Sequence, residues 1–401
     1  MPERYVCFQP ECVDEFRCDG KSCQGHCCKY WQIAIDDSTW KRYSKMKLKS
    51  ARKGILSHIK QKKDGRRYIK LSSNSACPFL QEDFLCRLQR DYGESYLSCI
   101  CRTYPRIVTC IDGLMERALS LACPVAAKLV LLEKPPMVFE QIELLVDEPI
   151  QIREPLQSEG LKHLPELQYA GISLLQDRRF SLDQRLVMLG FFLEQAQELE
   201  NMEHLEDLVR LYTSDAIAEH APGMFEAIHF HREQYLKAMF DLLDVLYGEQ
   251  SDLHIWDWQL DYVTKVFGFR EDACEVPVDE LMKAYEKFYP AAKKALMEKY
   301  GYVFENYLVN EFFGNVYPCR LEGSFTENFG VFLLGYKLLE FLMVAMAAEC
   351  GDALQEDMVV GSIIGFAGKI DHSPRYLDCV AKEAMKWDGG VANVLRVLVQ
   401  A

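Results

Sequence analysis

The sequence predicts an α+β protein in which a small cysteine-rich metal-binding domain precedes a mostly α-helical domain. Three observations predict it. Twelve of the sixteen cysteines (Cys7, Cys12, Cys18, Cys23, Cys27, Cys28, Cys77, Cys86, Cys99, Cys101, Cys110 and Cys123) lie before residue 124, while Cys274, Cys319, Cys350 and Cys379 are scattered. Charge divides the same way: residues 1–130 carry 23 Lys+Arg and 14 Asp+Glu, and the remainder carries 23 basic and 46 acidic residues, within a net charge of −14. Hydrophobic periodicity also changes, from short alternating runs before residue 160 to recurrences at three and four after it. The expected boundaries are 1–132 for the metal domain, 133–160 for an extended linker and 161–401 for the helical domain.

Within the first domain, Trp31-Gln32-Ile33-Ala34-Ile35 alternates and predicts a strand. Residues 37–63 suit one or two basic helices, and Tyr68-Ile69-Lys70-Leu71 a second strand. Leu114 to Leu121 fits strand or helix. Twelve Lys/Arg and one acid, Asp64, fall between Lys41 and Arg67. Aromatics are sparse there and the chain is acidic overall, so a solvated face or a surface for an acidic partner is favoured over nucleic acid. Glu133-Lys134-Pro135-Pro136, Pro149, Pro155 and Gly160 mark the linker, with a β-like run Ile142 to Val146 inside it.

The second domain reads as helices. Ser181-Leu182-Asp183-Gln184 fits a capping box, followed by Leu182, Leu186, Leu189, Leu193 and Ala196 on one face. Further helical patterns cover Met224–Tyr247, Val278–Tyr300, Phe304–Phe313, Phe325–Ala348 and Met358–Ile370, with Pro222, Pro277, Pro318 and Pro374 near their ends. Lys337 and Glu340 sit mid-way along the apolar stretch Phe329–Ala348, so a buried core helix is expected there and no membrane span. The glycines Gly361, Gly365 and Gly368 lack the spacing and context of a dinucleotide loop and are read as small residues at a helix contact. Met1-Pro2-Glu3-Arg4 leads into polar sequence without a signal-peptide core, which predicts a cytoplasmic protein whose cysteines are not disulfides.

Thiolates select zinc, copper(I) or iron–sulfur clusters over calcium and magnesium. The groups Cys18-x4-Cys23-x3-Cys27-Cys28, Cys77-Pro78-Phe79-Leu80 with Cys86, Cys99-x-Cys101 and Cys123-Pro124 contain no paired Cys-x2-Cys zinc knuckles. An iron–sulfur cluster fed by several loops is therefore favoured, with zinc second and a metal-free cysteine-rich fold third. His26 is a minor ligand candidate. Adjacent Cys27 and Cys28 cannot easily share one small ion, so one of them is expected to serve another role. Asp36, Glu94, Tyr104 and Arg106 could orient a substrate; the plainer reading makes Asp36 a helix cap and Arg106 the partner of a carboxylate or of thiolates.

Taken in order, several motifs resemble the flagellin lysine-N-methylase (FliB) family. They begin with Phe16-Arg17-Cys18, Cys23-x3-Cys27-Cys28 and Trp31-x-Ile33-x-Ile35-Asp36. Cys77-Pro78-Phe79-Leu80, Leu85-Cys86-x-Leu88-Gln89, Gly93-Glu94-x2-Leu97-Ser98, Cys101-x2-Tyr104-Pro105-Arg106 and Leu119-Ser120-Leu121-x-Cys123-Pro124 continue it. Phe304-Glu305-Asn306-Tyr307-Leu308-Val309-Asn310 and Ile370-Asp371-His372 extend it into the helical half. The cysteine motifs are also shared with a wider zinc- or iron-chelating cysteine-cluster group. The resemblance implies methyl transfer from S-adenosylmethionine to lysines of flagellin and a metal set of Cys18, Cys23, Cys27, Cys28, Cys77, Cys86, Cys101 and Cys123. A 4Fe-4S cluster is its expected form, and the alternative function is a non-catalytic metal-binding, redox or adaptor protein. Cys7, Cys12, Cys99 and Cys110 fall outside the pattern. The family's Gly-Trp reads Tyr30-Trp31 here, and its Cys-Pro-Glu reads Cys123-Pro124-Val125, which argues against a catalytic role at that position. No catalytic or cofactor-binding residue is assigned.

Overall fold

The computed structural model describes residues 3–20, 23, 25–29, 31–111, 113–146, 150–153, 161, 163–199, 204–247, 257–268, 277–371, 374–387 and 389–400. Tyr30, Pro149, Pro155, Gly160, Cys274 and His372, singled out above, lie outside them. The chain divides into two compact units, Met1–Leu129 with Val138–Glu154, and Val130–Met137 with Pro155–Ala401.

The first unit runs β1 (Glu3–Pro10), α1 (Cys12–Glu15), β2 (Ala34–Ile35), α2 (Asp37–Ser44), α3 (Lys49–Ser57), β3 (Ile59–Gln61), β4 (Arg67–Ile69), α4 (Arg87–Tyr92), α5 (Cys99–Thr103), β5 (Arg106–Ile111), β6 (Leu114–Leu119), α6 (Pro124–Leu131, shared with the second unit) and β7 (Phe139–Val146). A four-stranded sheet has the order β5-β6-β1-β7, with β1 parallel to β6 and antiparallel to β7 over the register Glu3↔Val146 to Pro10↔Phe139. A smaller sheet, β2-β4-β3, covers a separate core of Ile33, Tyr43, Met46, Ile55, Ile69 and Phe79. The run expected in the linker is thus an edge strand of the first unit. The strand expected at 31–35 shrinks to Ala34–Ile35, and the Trp31 indole N–H donates to the Cys27 carbonyl. Leu114–Leu119 is a strand, settled by its ladders to β5 and β1.

Leucine- and aromatic-rich helices make the second unit: α7 (Leu164–Leu175), α8 (Leu182–Gln197), α9 (Leu205–Thr213), α10 (Ile217–Glu226), α11 (Arg232–Tyr247), α12 (Asp257–Phe267), α13 (Val278–Gly314), α14 (Phe325–Cys350), α15 (Glu356–Asp371), α16 (Pro374–Ala384) and α17 (Val391–Leu398). The capping box forms: Ser181 Oγ accepts from the Gln184 N–H and Gln184 Oε1 accepts from the Ser181 N–H at 3.0 Å. A helix apolar on all sides must be enclosed by others, and α14 packs on α8, α12, α13, α16 and α17. It is long and apolar enough to cross a membrane, yet it is a core helix whose apolar window is 89% buried.

Lys337 and Glu340, each 1% exposed, are accommodated by charge. Lys337 Nζ pairs with Asp183 of α8 and with Glu340 Oε2 at 3.0 Å, and Lys293 of α13 bridges Asp183 at 2.5 Å and Glu340 at 3.1 Å. Burial raises the Asp183 carboxyl, but the two ammonium groups outweigh it and bring it down to about 2.

Four expectations are corrected. The two helices drawn over 278–313 are one, α13, because Tyr300, Val303 and Phe304 keep a buried face across Gly301 and packing outweighs the roughly 1 kcal/mol a mid-helix glycine costs. The helix drawn over 224–247 is two, since the His231 N–H leaves the helical ladder for the Arg396 carbonyl at 2.7 Å. Pro222 lies inside α10 and not at its end. A Cβ on Gly361 or Gly368 of α15 would meet nothing within 4 Å, so neither marks a tight helix contact.

Candidate metal centre

The site begins with two glycines that let the chain fold back on itself. Gly20 (φ +63°) and Gly25 (φ +67°) occupy the left-handed region, and a Cβ there would lie 2.8 Å from Leu85 Cδ2 and 2.6 Å from Leu80 Cδ1 respectively. The Gly25 N–H donates to the Gly20 carbonyl at 3.1 Å, and Cys23 Sγ donates to the same carbonyl at 3.6 Å. Gly25 starts a single 3₁₀ turn, His26–Cys28, that carries the adjacent cysteines.

Other loops bring the remaining thiols. The Cys77 N–H donates to the Cys28 carbonyl at 2.7 Å, locking the second cysteine group to the first. Cys86 precedes α4 and bridges to Leu80 in β fashion. Cys101 lies on α5, whose N-cap Ser98 accepts from the Cys101 N–H at 3.4 Å. Asp36 caps two helices at once, accepting from the Thr39 N–H of α2 and the Cys99 N–H of α5, both at 2.9 Å. That dual cap positions α5; the carboxylate does not line the cavity described next. Cys123 ends the turn after β6 and its carbonyl accepts from Ala127 of α6 at 2.8 Å.

Cys18, Cys23, Cys27, Cys28, Cys77, Cys86, Cys101 and Cys123 all line one cavity of about 490 Å³. Cys7, Cys12, Cys99 and Cys110 do not; Cys7 is buried beside Val108 and Met115, with Cys110 packed against them. In the helical unit Cys319 is buried and Cys350 and Cys379 are half-buried. Cys27 is the electrostatic centre, because its charge would raise the thiols of Cys18, Cys28, Cys77, Cys86, Cys101 and Cys123. A hydrogen bond with Cys28 lowers the Cys27 thiol and raises that of Cys28, so both members of the adjacent pair face the same space. Burial pushes Cys77 up to about 11 and Cys123 up to about 12. Thiols of this kind stay protonated until a cation displaces their protons.

Among the described residues no three His, Cys, Asp or Glu side chains are grouped closely enough to hold one ion. The cavity far exceeds the roughly 10–15 Å³ that one water-sized sphere needs. Soft donors spread over such a wall suit a group of several atoms better than a single zinc.

The rest of the wall is largely aromatic and cationic, with one carboxylate among the described lining residues. Phe16, Trp31, Tyr104, His26, Glu94 and Arg106 line it, with Trp31 and Tyr104 rings 5.9 Å apart. The Arg106 guanidinium stands 5.2 Å from the Phe16 ring centroid and donates to the Phe16 carbonyl at 3.4 Å. Burial lowers its pKa, and among the described residues it pairs with no carboxylate. Asp14 and Glu94 are the negative groups that oppose this lowering. Sequence reasoning missed Phe16 and Trp31 as wall residues, although both flank the first cysteine group.

Fold and site together define a cysteine-centred α+β unit joined to an all-helical unit. The FliB lysine N-methylase C-terminal domain matches residues 169–398, and the chain belongs to that family. It is 38% identical over 120 residues to the lysine-N-methylase of Salmonella typhimurium, covering 29% of this chain and 30% of that protein. It is also 36% identical over 120 residues to the flagellar biosynthetic protein FliU of Salmonella muenchen, covering 71% of FliU. The match therefore spans less than a third of the lysine-N-methylase. No solved structure matches the chain.

Proposed function

We propose that the protein transfers methyl groups from S-adenosylmethionine to lysine side chains of flagellin in the cytoplasm, and that its thiol-lined cavity holds an iron–sulfur cluster. The reading is carried by family membership across residues 169–398, and the disposition of eight thiols on one cavity supports its metal part.

The lysine must arrive as a neutral amine. Its nitrogen attacks the sulfonium methyl carbon, the methyl–sulfur bond breaks, and S-adenosylhomocysteine departs with the bond's electron pair. The methylated ammonium then gives its proton to solvent. Four at most of Cys18, Cys23, Cys27, Cys28, Cys77, Cys86, Cys101 and Cys123 would ligate one four-iron cluster, and the others would be structural thiols or a second site. A cluster held by only three of them would supply a Lewis-acidic iron that could anchor the cofactor's amino-acid end. Phe16, Trp31 and Tyr104 make part of the cavity wall aromatic, which would favour the uncharged amine. Arg106 balances thiolate charge. Glu94 is the carboxylate suited to receive the lysine ammonium before its proton leaves.

The test is anaerobic purification followed by spectroscopy and mass analysis of flagellin. A visible absorption that bleaches on reduction, with methyl-mass increments on flagellin lysines that require S-adenosylmethionine, supports the proposal. A colourless zinc-loaded protein removes the cluster. An intact cluster with flagellin binding but no methyl increment replaces the enzyme with an adaptor.

A further inference from the structure

Residues 41–67 carry a charge excess that nothing in the metal centre uses. Their inner side packs through Tyr43, Met46, Ile55 and Ile59 into the small core of the first unit. Their outer side holds Lys41, Lys45, Lys47, Lys49, Lys53, Lys60 and Lys63, all exposed. Among the described residues none of these seven lysines has a carboxylate within ion-pair distance. The acids of the neighbourhood are already engaged: Asp64 pairs with Arg66 at 2.6 Å and Asp37 with Arg67 at 2.8 Å.

This arrangement runs against the local interest of the fold. Lys41 with Lys45 and Lys49 with Lys53 are like charges one helical turn apart, each pair unfavourable by about 0.2–0.5 kcal/mol. Lys49 opens α3 at the end where the helix dipole disfavours cations, and α3 has no acid in its first turn. Leu48 takes the N-cap without a side-chain hydrogen bond and is 62% exposed between Lys47 and Lys49. A surface that breaks several local rules without internal compensation is where function is expected.

We infer that this face docks an acidic protein segment that also carries apolar side chains. Lysines outnumber arginines on it, and Leu48 supplies an apolar anchor among them. Nucleic acid fits it less well, because the aromatics that would stack on bases are occupied. Arg67 covers the Trp40 ring at 4.7 Å, Lys62 stands over the Tyr68 ring at 5.6 Å, and Tyr43 is buried. The inference concerns recognition and holds whatever reaction the chain performs.

The experiment uses the full chain and a fluorescent synthetic peptide of repeating Glu-Glu-Leu, with a single-stranded oligonucleotide as the competing probe. Peptide binding that weakens with salt is expected. The variant Lys45→Glu/Lys49→Glu/Lys53→Glu weakens it about tenfold, at one exposed contact per lysine, and Leu48→Ser weakens it about fivefold even in high salt. Circular dichroism equal to that of the parent shows that the variants fold. Failure of the peptide to bind, equal binding by the triple variant, or tighter binding of the oligonucleotide than of the peptide overturns the inference.

Discussion

The amide of Cys77 donates to the carbonyl of Cys28 across 2.7 Å, so the second cysteine group is fastened by backbone to the turn that presents the first. The thiols of both groups face one cavity because of that bond and the two left-handed glycines before it.

Loss of metal should therefore follow position on the cavity, not cysteine content. Cys77→Ser and Cys101→Ser are expected to lose most bound iron and sulfide, whereas Cys110→Ser retains them. Iron analysis of the anaerobically purified variants decides. Full loading of both cavity variants would remove these thiols from the ligand set.

Gly25→Ala places a methyl group 2.6 Å from Leu80 Cδ1 and forces an alanine to φ +67°. Destabilisation of about 1–3 kcal/mol is expected, with reduced metal loading. Chemical denaturation measures it. The double variant Gly25→Ala/Leu80→Ala should recover the steric share and leave the backbone share.

Asp36 holds the first turns of α2 and α5 together, so Asp36→Ala removes two caps at once. A loss of about 1–2 kcal/mol is expected. Amide exchange at Thr39 and Cys99 should accelerate in the same variant. Unchanged exchange at Cys99 would show that α5 is held by other contacts.

The buried charge network predicts both a substitution and a pH effect. Lys337→Met leaves carboxylates under-compensated inside the helical unit and should cost about 3–5 kcal/mol in thermal or chemical unfolding. Asp183 sits at about 2 when folded, against about 3.9 unfolded. Its contribution is thus fully present above pH ~3.9 and is lost as pH falls toward the folded value. Wild-type stability should drop more steeply than that of Asp183→Asn between pH ~4 and ~2, as followed by acid unfolding. Parallel curves would show that Asp183 titrates normally.

What was legible in the sequence was local or periodic. Ser181 and Gln184 disclosed a helix start because a capping box spans four consecutive residues and needs no tertiary partner. Lys337 and Glu340 argued for a core helix, but Asp183 and Lys293, their partners, are distant in sequence and left no signature. Strand β1 went unread because apolar Val6 and Phe8 stand on its more open face and polar Gln9 is buried beside Cys7 on the other, so polarity does not alternate with burial. The eight cavity cysteines were separable from Cys7, Cys12, Cys99 and Cys110 by motif resemblance. Their common cavity was not legible, since it depends on Gly20 and Gly25 and on the Cys28–Cys77 backbone bond.

Strand β1 is flanked by β6 and β7, so its first residue in register, Glu3, finds its partner at Val146. During synthesis at about 5–20 residues per second, that strand waits on the order of ten seconds for its neighbours to leave the ribosome. The small β2-β4-β3 sheet and its core need nothing beyond Cys101 and can form first. The thiols before residue 102 are thereby gathered while the large sheet is still open, and Cys123 arrives with the strands that close it.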